Sequence, residues 1–209
     1  MLKYLSPIKL KMNDNEIILF NGKARYLKNI KLLQFDPNFN ELLDKYISHP
    51  IFTEIEQILF GYHFNQSPFP LIKCTKLQHI IFGNDFNQPT DNLPTSLKSI
   101  TYGFSFNQPI EHLPSIKALK LGFFFQQSLD FLPASLIHLE LLFHYPYPFG
   151  HIGDSPYKWF NRNLTLDHLP SGLETLIVTR LKGVKLLSLP KCIKKLVTEE
   201  IPIEYYASY

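Results

Sequence analysis

Histidine, cysteine and carboxylate are the residue types from which this chain could assemble a reactive or metal-binding site. It has eight histidines and two cysteines. His79 and His138 fall on the same side of two short apolar segments, three repeats apart. If those segments are stacked strands, three steps of about 4.8 Å separate the imidazoles by about 14 Å, too far to share one ion. His144, His151 and Asp154 lie in one segment and are the residues an enzyme built on that segment would use; polar residues of a surface loop are the ordinary reading. There is no phosphate-cradling glycine loop, no G-x-S-x-G and no Cys-x-x-Cys. Cys74 and Cys192 are too few for a disulfide framework and are expected to stay reduced and apart. No catalytic, cofactor-binding or metal residue is assigned, and the chain reads as a non-enzyme.

Composition narrows the classes further. Hydrophobic residues make up 45% and charged residues 19%, enough apolar surface for a packed core. Net charge is only +3. The mild cluster Lys182, Lys185, Lys191, Lys194 and Lys195 reads as a solvated face, not a nucleic-acid footprint. The opening MLKYLSPIKLKMNDNEI lacks an apolar signal core, and no stretch approaches the roughly 20 apolar residues of a membrane span. A soluble, cytoplasmic chain with no membrane partner is the expectation.

The elements that would position any site are repeats. Phe-Asn-Gln occurs at Phe64, Phe86 and Phe106, with variants at Phe39, Phe125 and Phe160. Leu-Pro occurs at Leu93, Leu113, Leu132, Leu169 and Leu189, at intervals of 20, 19, 37 and 20 residues. Between them lies a third word: apolar, two residues, apolar, one residue, apolar. It reads Ile30-Leu33-Phe35, Ile55-Ile58-Phe60, Leu77-Ile80-Phe82, Leu97-Ile100-Tyr102, Ile116-Leu119-Leu121, Leu136-Leu139-Leu141, Leu173-Leu176-Val178 and Ile193-Leu196-Thr198. Glycine follows the third position at Gly61, Gly83, Gly103 and Gly122.

Spacing by two points residues to one side of a strand. Each unit is therefore one short strand and a turn. Glycine is expected to supply a positive φ at the corner. Phe64, Phe86, Phe106 and Phe125 should be buried in a row, and the Asn behind each Phe should bond backbone groups left unpaired by the turn. Proline belongs on the return path, where no ladder donor is needed. Stacked units give a repeat solenoid, a leucine-rich-repeat-like coil of about eight short parallel strands with mostly loops on the return side.

The run FGNDFNQPTDNLPTSLKSITYGFSFNQPIEHLP, residues 82–114, resembles the FNIP repeat, a leucine-rich-repeat relative abundant in social amoebae and in giant viruses that infect amoebae. The resemblance is close over 51–142 and looser over 160–200. It implies a non-catalytic scaffold for protein-protein interaction, in the host cytoplasm if the source is viral, and it carries over no catalytic residue. Members of that family often carry an F-box, which implies a second reading: the recognition arm of a ubiquitin ligase whose F-box is lost or supplied by another chain. Residues 1–29 do not read as that module.

Residues 1–29 read instead as an N-terminal cap, with Glu16 to Phe20, a turn at Asn21-Gly22 and Lys23 to Leu27 as a hairpin. Repeats occupy 30–142, with a short helix expected within Phe39 to Ile47. An aromatic and proline-rich insertion covers 143–159, the last repeats 160–200, and a tail 201–209. Insertions in repeat proteins map to loops on one face, often the binding face, which makes Tyr145, Tyr147, Phe149 and Trp159 candidate contacts. The other candidates come from the outward row just before the third apolar position: Gln34, Leu59, Ile81, Thr101, Lys120, Glu140, Ile177 and Val197. Its middle is polar. Its flanks, Leu59 with Ile81 and Ile177 with Val197, are apolar pairs of the kind that mark contact sites. The partner expected is another protein.

Overall fold

The structure, a computed structural model, describes residues 8–11, 17–20, 31–142, 168–179 and 191–199. Two strands precede the repeats, β1 (Ile8–Lys11) and β2 (Ile17–Phe20). The repeat strands are β3 (Leu32–Phe35), β4 (Gln57–Leu59), β5 (His79–Ile81), β6 (Ser99–Thr101), β7 (Ala118–Leu121), β8 (His138–Leu142), β9 (Thr175–Thr179) and β10 (Lys195–Glu199). All ten form one sheet in the order β10-β9-β8-β7-β6-β5-β4-β3-β1-β2. Strands β3 to β10 are parallel and follow chain order, one per coil. The return side of the first two coils holds a 3-10 turn (Leu43–Lys45), one helical turn α1 (Ile51–Glu54) and a second 3-10 turn (Phe69–Lys73). The helix expected before residue 47 is therefore shortened to a 3-10 turn, with α1 just beyond it.

The third word of the repeat is the core. Ile58, Ile80, Ile100, Leu119, Leu139 and Leu176 occupy the middle row, and each is buried. Beside it run two columns of rings. Phe35, Phe60, Phe82 and Tyr102 stack at centroid separations of 4.9, 5.4 and 5.5 Å. Phe39, Phe64, Phe86, Phe106 and Phe125 stack at 6.0, 6.0, 6.1 and 6.1 Å. Within a coil the two columns touch, Tyr102 and Phe106 at 3.7 Å. One polar pair is buried among them: the Tyr102 hydroxyl and Thr90 Oγ1 lie 2.8 Å apart. Thr90 takes the return-path position that Ile110 and Leu129 fill in later coils, so the hydroxyl in the ring column and the hydroxyl facing it satisfy each other.

Asparagine after each Phe builds a second ladder. Asn65 Oδ1 accepts from the Asn87 backbone N–H at 2.9 Å and from Gln88 Nε2 at 3.0 Å. Asn87 Oδ1 does the same for Asn107 and Gln108, at 2.9 and 3.1 Å. Asn40 opens the series and Asn107 closes it against Gln126 and Gln127. Each carboxamide thus satisfies a donor of the next coil that no strand reaches.

The glycines act differently from the expectation. None of Gly61, Gly83, Gly103 and Gly122 has a positive φ. The requirement is space: a Cβ on Gly83 would stand 1.8 Å from the Gly61 carbonyl oxygen, and one on Gly103 2.2 Å from that of Gly83. Backbones of successive coils meet there with no room for a methyl group. The corner closes with a Phe86 N–H to Gly83 carbonyl bond of 3.4 Å. Leu142 occupies the same position one coil after Gly122, and there β8 lengthens to five residues, pairing Leu142 with Thr179.

At the other end, β1 pairs antiparallel with both β2 and β3, with Ile8 opposite Phe35 and Lys9 opposite Gln34. Ile17–Phe20 finds its partner in Ile8–Lys11. Residues 23–27, from which the sequence suggested a partner, lie outside the described residues. The antiparallel pair occupies the β3 edge that a preceding coil would otherwise cover.

Three outcomes check this architecture. Phe106→Ala should cost about 3–5 kcal/mol in urea unfolding, because it opens a gap in a continuous ring column. Gly83→Ala should cost more than about 4 kcal/mol, whereas Gly172→Ala, whose nearest neighbour would be 3.7 Å away, should stay within about 1 kcal/mol. Both cysteines are free. Cys74 is buried before β5, where burial pushes its thiol up to about 12, and half-buried Cys192 lies five strand steps off, about 24 Å away. Ellman's reagent should titrate one thiol in the native chain and two after unfolding; no native thiol at all would contradict the coil order.

Candidate protein-binding face

A strand that buries alternate residues must present the others. The parallel register lines these up across coils. Gln34, Leu59, Ile81, Thr101, Lys120 and Glu140 are successive partners, and Glu140 continues to Ile177 and Val197. A parallel row runs Leu32, Gln57, His79, Ser99, Ala118, His138, Thr175 and Lys195. A third row stands just before the strands: Lys31, Glu56, Gln78, Lys98, Lys117, Ile137, Glu174 and Lys194. It is tied coil to coil by backbone bonds such as Lys98 N–H to Gln78 and Lys117 N–H to Lys98, both 2.7 Å.

Charges on this face are mostly matched between neighbouring coils. Lys120 meets Glu140, Lys31 meets Glu56 and Lys194 meets Glu174, each at 2.7 Å. Such exposed pairs contribute little stability, and they leave those positions locally neutral. His79 Nδ1 lies 2.7 Å from Ser99 Oγ. Burial, and then the nearby Lys98 ammonium, hold the His79 imidazole below its ordinary pKa against the opposing pull of Glu56.

Of the sequence-derived candidates, Leu59 and Ile81 are direct register partners, as are Ile177 and Val197. Ile81 is 42% exposed, and Leu59, Ile177 and Val197 are half-buried. Glu140 stands between the central strands and Ile177, so the two apolar pairs remain separate patches. Tyr145, Tyr147, Phe149 and Trp159 lie outside the described residues, as do His144, His151 and Asp154. His79 and His138 stand in one row with Ser99 and Ala118 between them. No group of three His, Cys, Asp or Glu side chains could hold a metal among the described residues. Nor is any described helix long and apolar enough to cross a membrane. A cleft of about 270 Å³ on the return side is lined by Ser67, Pro68, Phe69, Pro89, Thr90, Asp91 and Asn92; the Thr90 hydroxyl is paired with Tyr102 and Ser67 Oγ accepts from the Phe69 N–H. The third row, with Lys98, Lys117 and Ile137, was missed from sequence, although its constant place one residue before each strand was available as a signal.

Residues 86–124 match the family model of the FNIP Repeat. Among solved structures, CroV588, described as a novel circular LRR protein, is similar to 84% of this chain and 41% of its own, at 21% identity and a TM-score of 0.38. This chain therefore spans less than half the length of that protein. No curated protein matches. The chain thus carries an FNIP-type repeat at residues 86–124 within a leucine-rich-repeat-like sheet of one parallel strand per coil.

Proposed function

We propose that this FNIP-type solenoid is a non-catalytic scaffold that binds another protein across the outward face of its parallel sheet, in the cytoplasm. One observation carries the reading. At Leu59 and Ile81, beside the internally paired Lys120 with Glu140 and His79 with Ser99, two apolar side chains of the face adjoin and reach solvent. Adjacent exposed apolar side chains on a regular face gain free energy only when something covers them. Eight strands span seven inter-strand steps, about 34 Å at about 4.8 Å each, the length scale of a standard protein interface.

The test compares Ile81→Lys and Ile177→Lys with wild type as bait in an amoebal lysate, alongside melting temperatures. Both variants should fold as wild type, and at least one should lose a partner that wild type retains. If both keep every partner, the sheet face is not the binding surface and Tyr145, Tyr147, Phe149 and Trp159 of the insertion take its place. Ubiquitin-ligase subunits among the recovered proteins would favour the recognition-arm role, with the F-box supplied by another chain.

A further inference from the structure

The row just before the strands has a charge pattern that folding alone does not require. At its two ends opposite charges alternate from coil to coil, Lys31 with Glu56 and Glu174 with Lys194. In its middle two lysines follow each other, Lys98 and Lys117, on backbones joined by a 2.7 Å hydrogen bond. Neither makes an ion pair among the described residues, and both are exposed. Like charges directly opposite one another repel. At Lys31, Lys120 and Lys194 the neighbouring coil places a carboxylate; at Lys98 and Lys117 it places none.

The surface beside these lysines is low. Ser99, Ala118 and Thr101 are the outward side chains of β6 and the start of β7, all small, with Ile81 standing one strand away at 42% exposure. Lys120, the remaining cation nearby, is already held by Glu140. The middle of the face therefore combines two uncompensated ammonium groups, a floor on which a backbone can approach the sheet, and an exposed aliphatic side chain.

We propose that the segment seated there is an acidic, extended peptide, its carboxylates along Lys98 and Lys117 and an aliphatic side chain against Ile81. This rests on the scaffold reading and names the chemistry of its partner. Complementary charge chooses a carboxylate-bearing chain, since it gains two ion pairs without displacing one already made. Nucleic acid fits less well: no Phe, Tyr or Trp stands in the three outward rows to stack a base, and two free lysines release few counterions.

The experiment is fluorescence anisotropy on the full chain with three labelled probes: a peptide of alternating glutamate and leucine, its lysine–leucine counterpart, and an oligouridylate. Each is about ten residues long, enough to cross the strand rows at about 3.3 Å per residue. The glutamate peptide should bind at least about tenfold tighter than the lysine peptide and weaken as salt is raised. Lys98→Glu with Lys117→Glu should reverse that order. Lys73→Glu with Lys191→Glu, the same change in net charge placed off the face, should leave it intact. Equal affinity for the two peptides, an equal effect of both double variants, or tighter binding of the oligouridylate overturns the proposal. A lysate partner that survives Lys98→Glu with Lys117→Glu but is lost with Ile81→Lys overturns the acidic preference alone and leaves the scaffold reading standing.

Discussion

Contact between successive backbones at Gly61, Gly83, Gly103 and Gly122 sets the terms for the rest of the molecule. With a carbonyl oxygen where a methyl group would lie, each corner can approach its predecessor to one distance only. That distance brings each ring of the Phe39-to-Phe125 column against the ring before it at 6.0 to 6.1 Å and each ladder Asn carboxamide within 2.8 to 2.9 Å of the next N–H. The ring columns supply burial and the carboxamides supply satisfied donors, and both depend on the same pitch. Register across the outward face follows, because strands that start from equally spaced corners present equivalent residues side by side. A binding surface made of rows is thus a product of the packing on the far side of the sheet.

How far this was legible from sequence depended on repetition. Three words in fixed order align the coils with one another, and that alignment alone assigns every outward residue from Gln34 to Val197 to its row before any coordinate is known. It also places the Phe column. Where the pattern is not repeated, the alignment gives nothing. The antiparallel pairing of Ile8 with Phe35 joins segments 27 residues apart through no local signature, and nothing repeated in the sequence pointed to Ile8–Lys11 as a partner of β2. Glycine at the corner was visible, but a residue type does not say which of its two freedoms is in use. Positive φ and a missing Cβ leave the same letter in the sequence. Lys98 and Lys117 were overlooked for another reason: charge was read by position along the chain, whereas its meaning lies across coils, where Glu56 answers Lys31 and nothing described answers Lys98.

The asparagine ladder has one more property. In every rung the acceptor belongs to the earlier coil and the donors to the later one, from Asn40 through Asn107. Corner backbone bonds run the same way, His63 to Pro37, Asp85 to Tyr62, Ser105 to Asn84 and Phe124 to Phe104. At its corner a completed coil consequently exposes acceptors in the geometry the next one needs, whereas at the strand ends the direction reverses, Phe60, Phe82 and Tyr102 N–H groups donating to Ile81, Thr101 and Lys120 of the coil that follows. The corner line therefore has a direction of its own: an early corner offers its N–H groups, a late one its oxygens, and only a copy of the repeat in the same orientation can continue it.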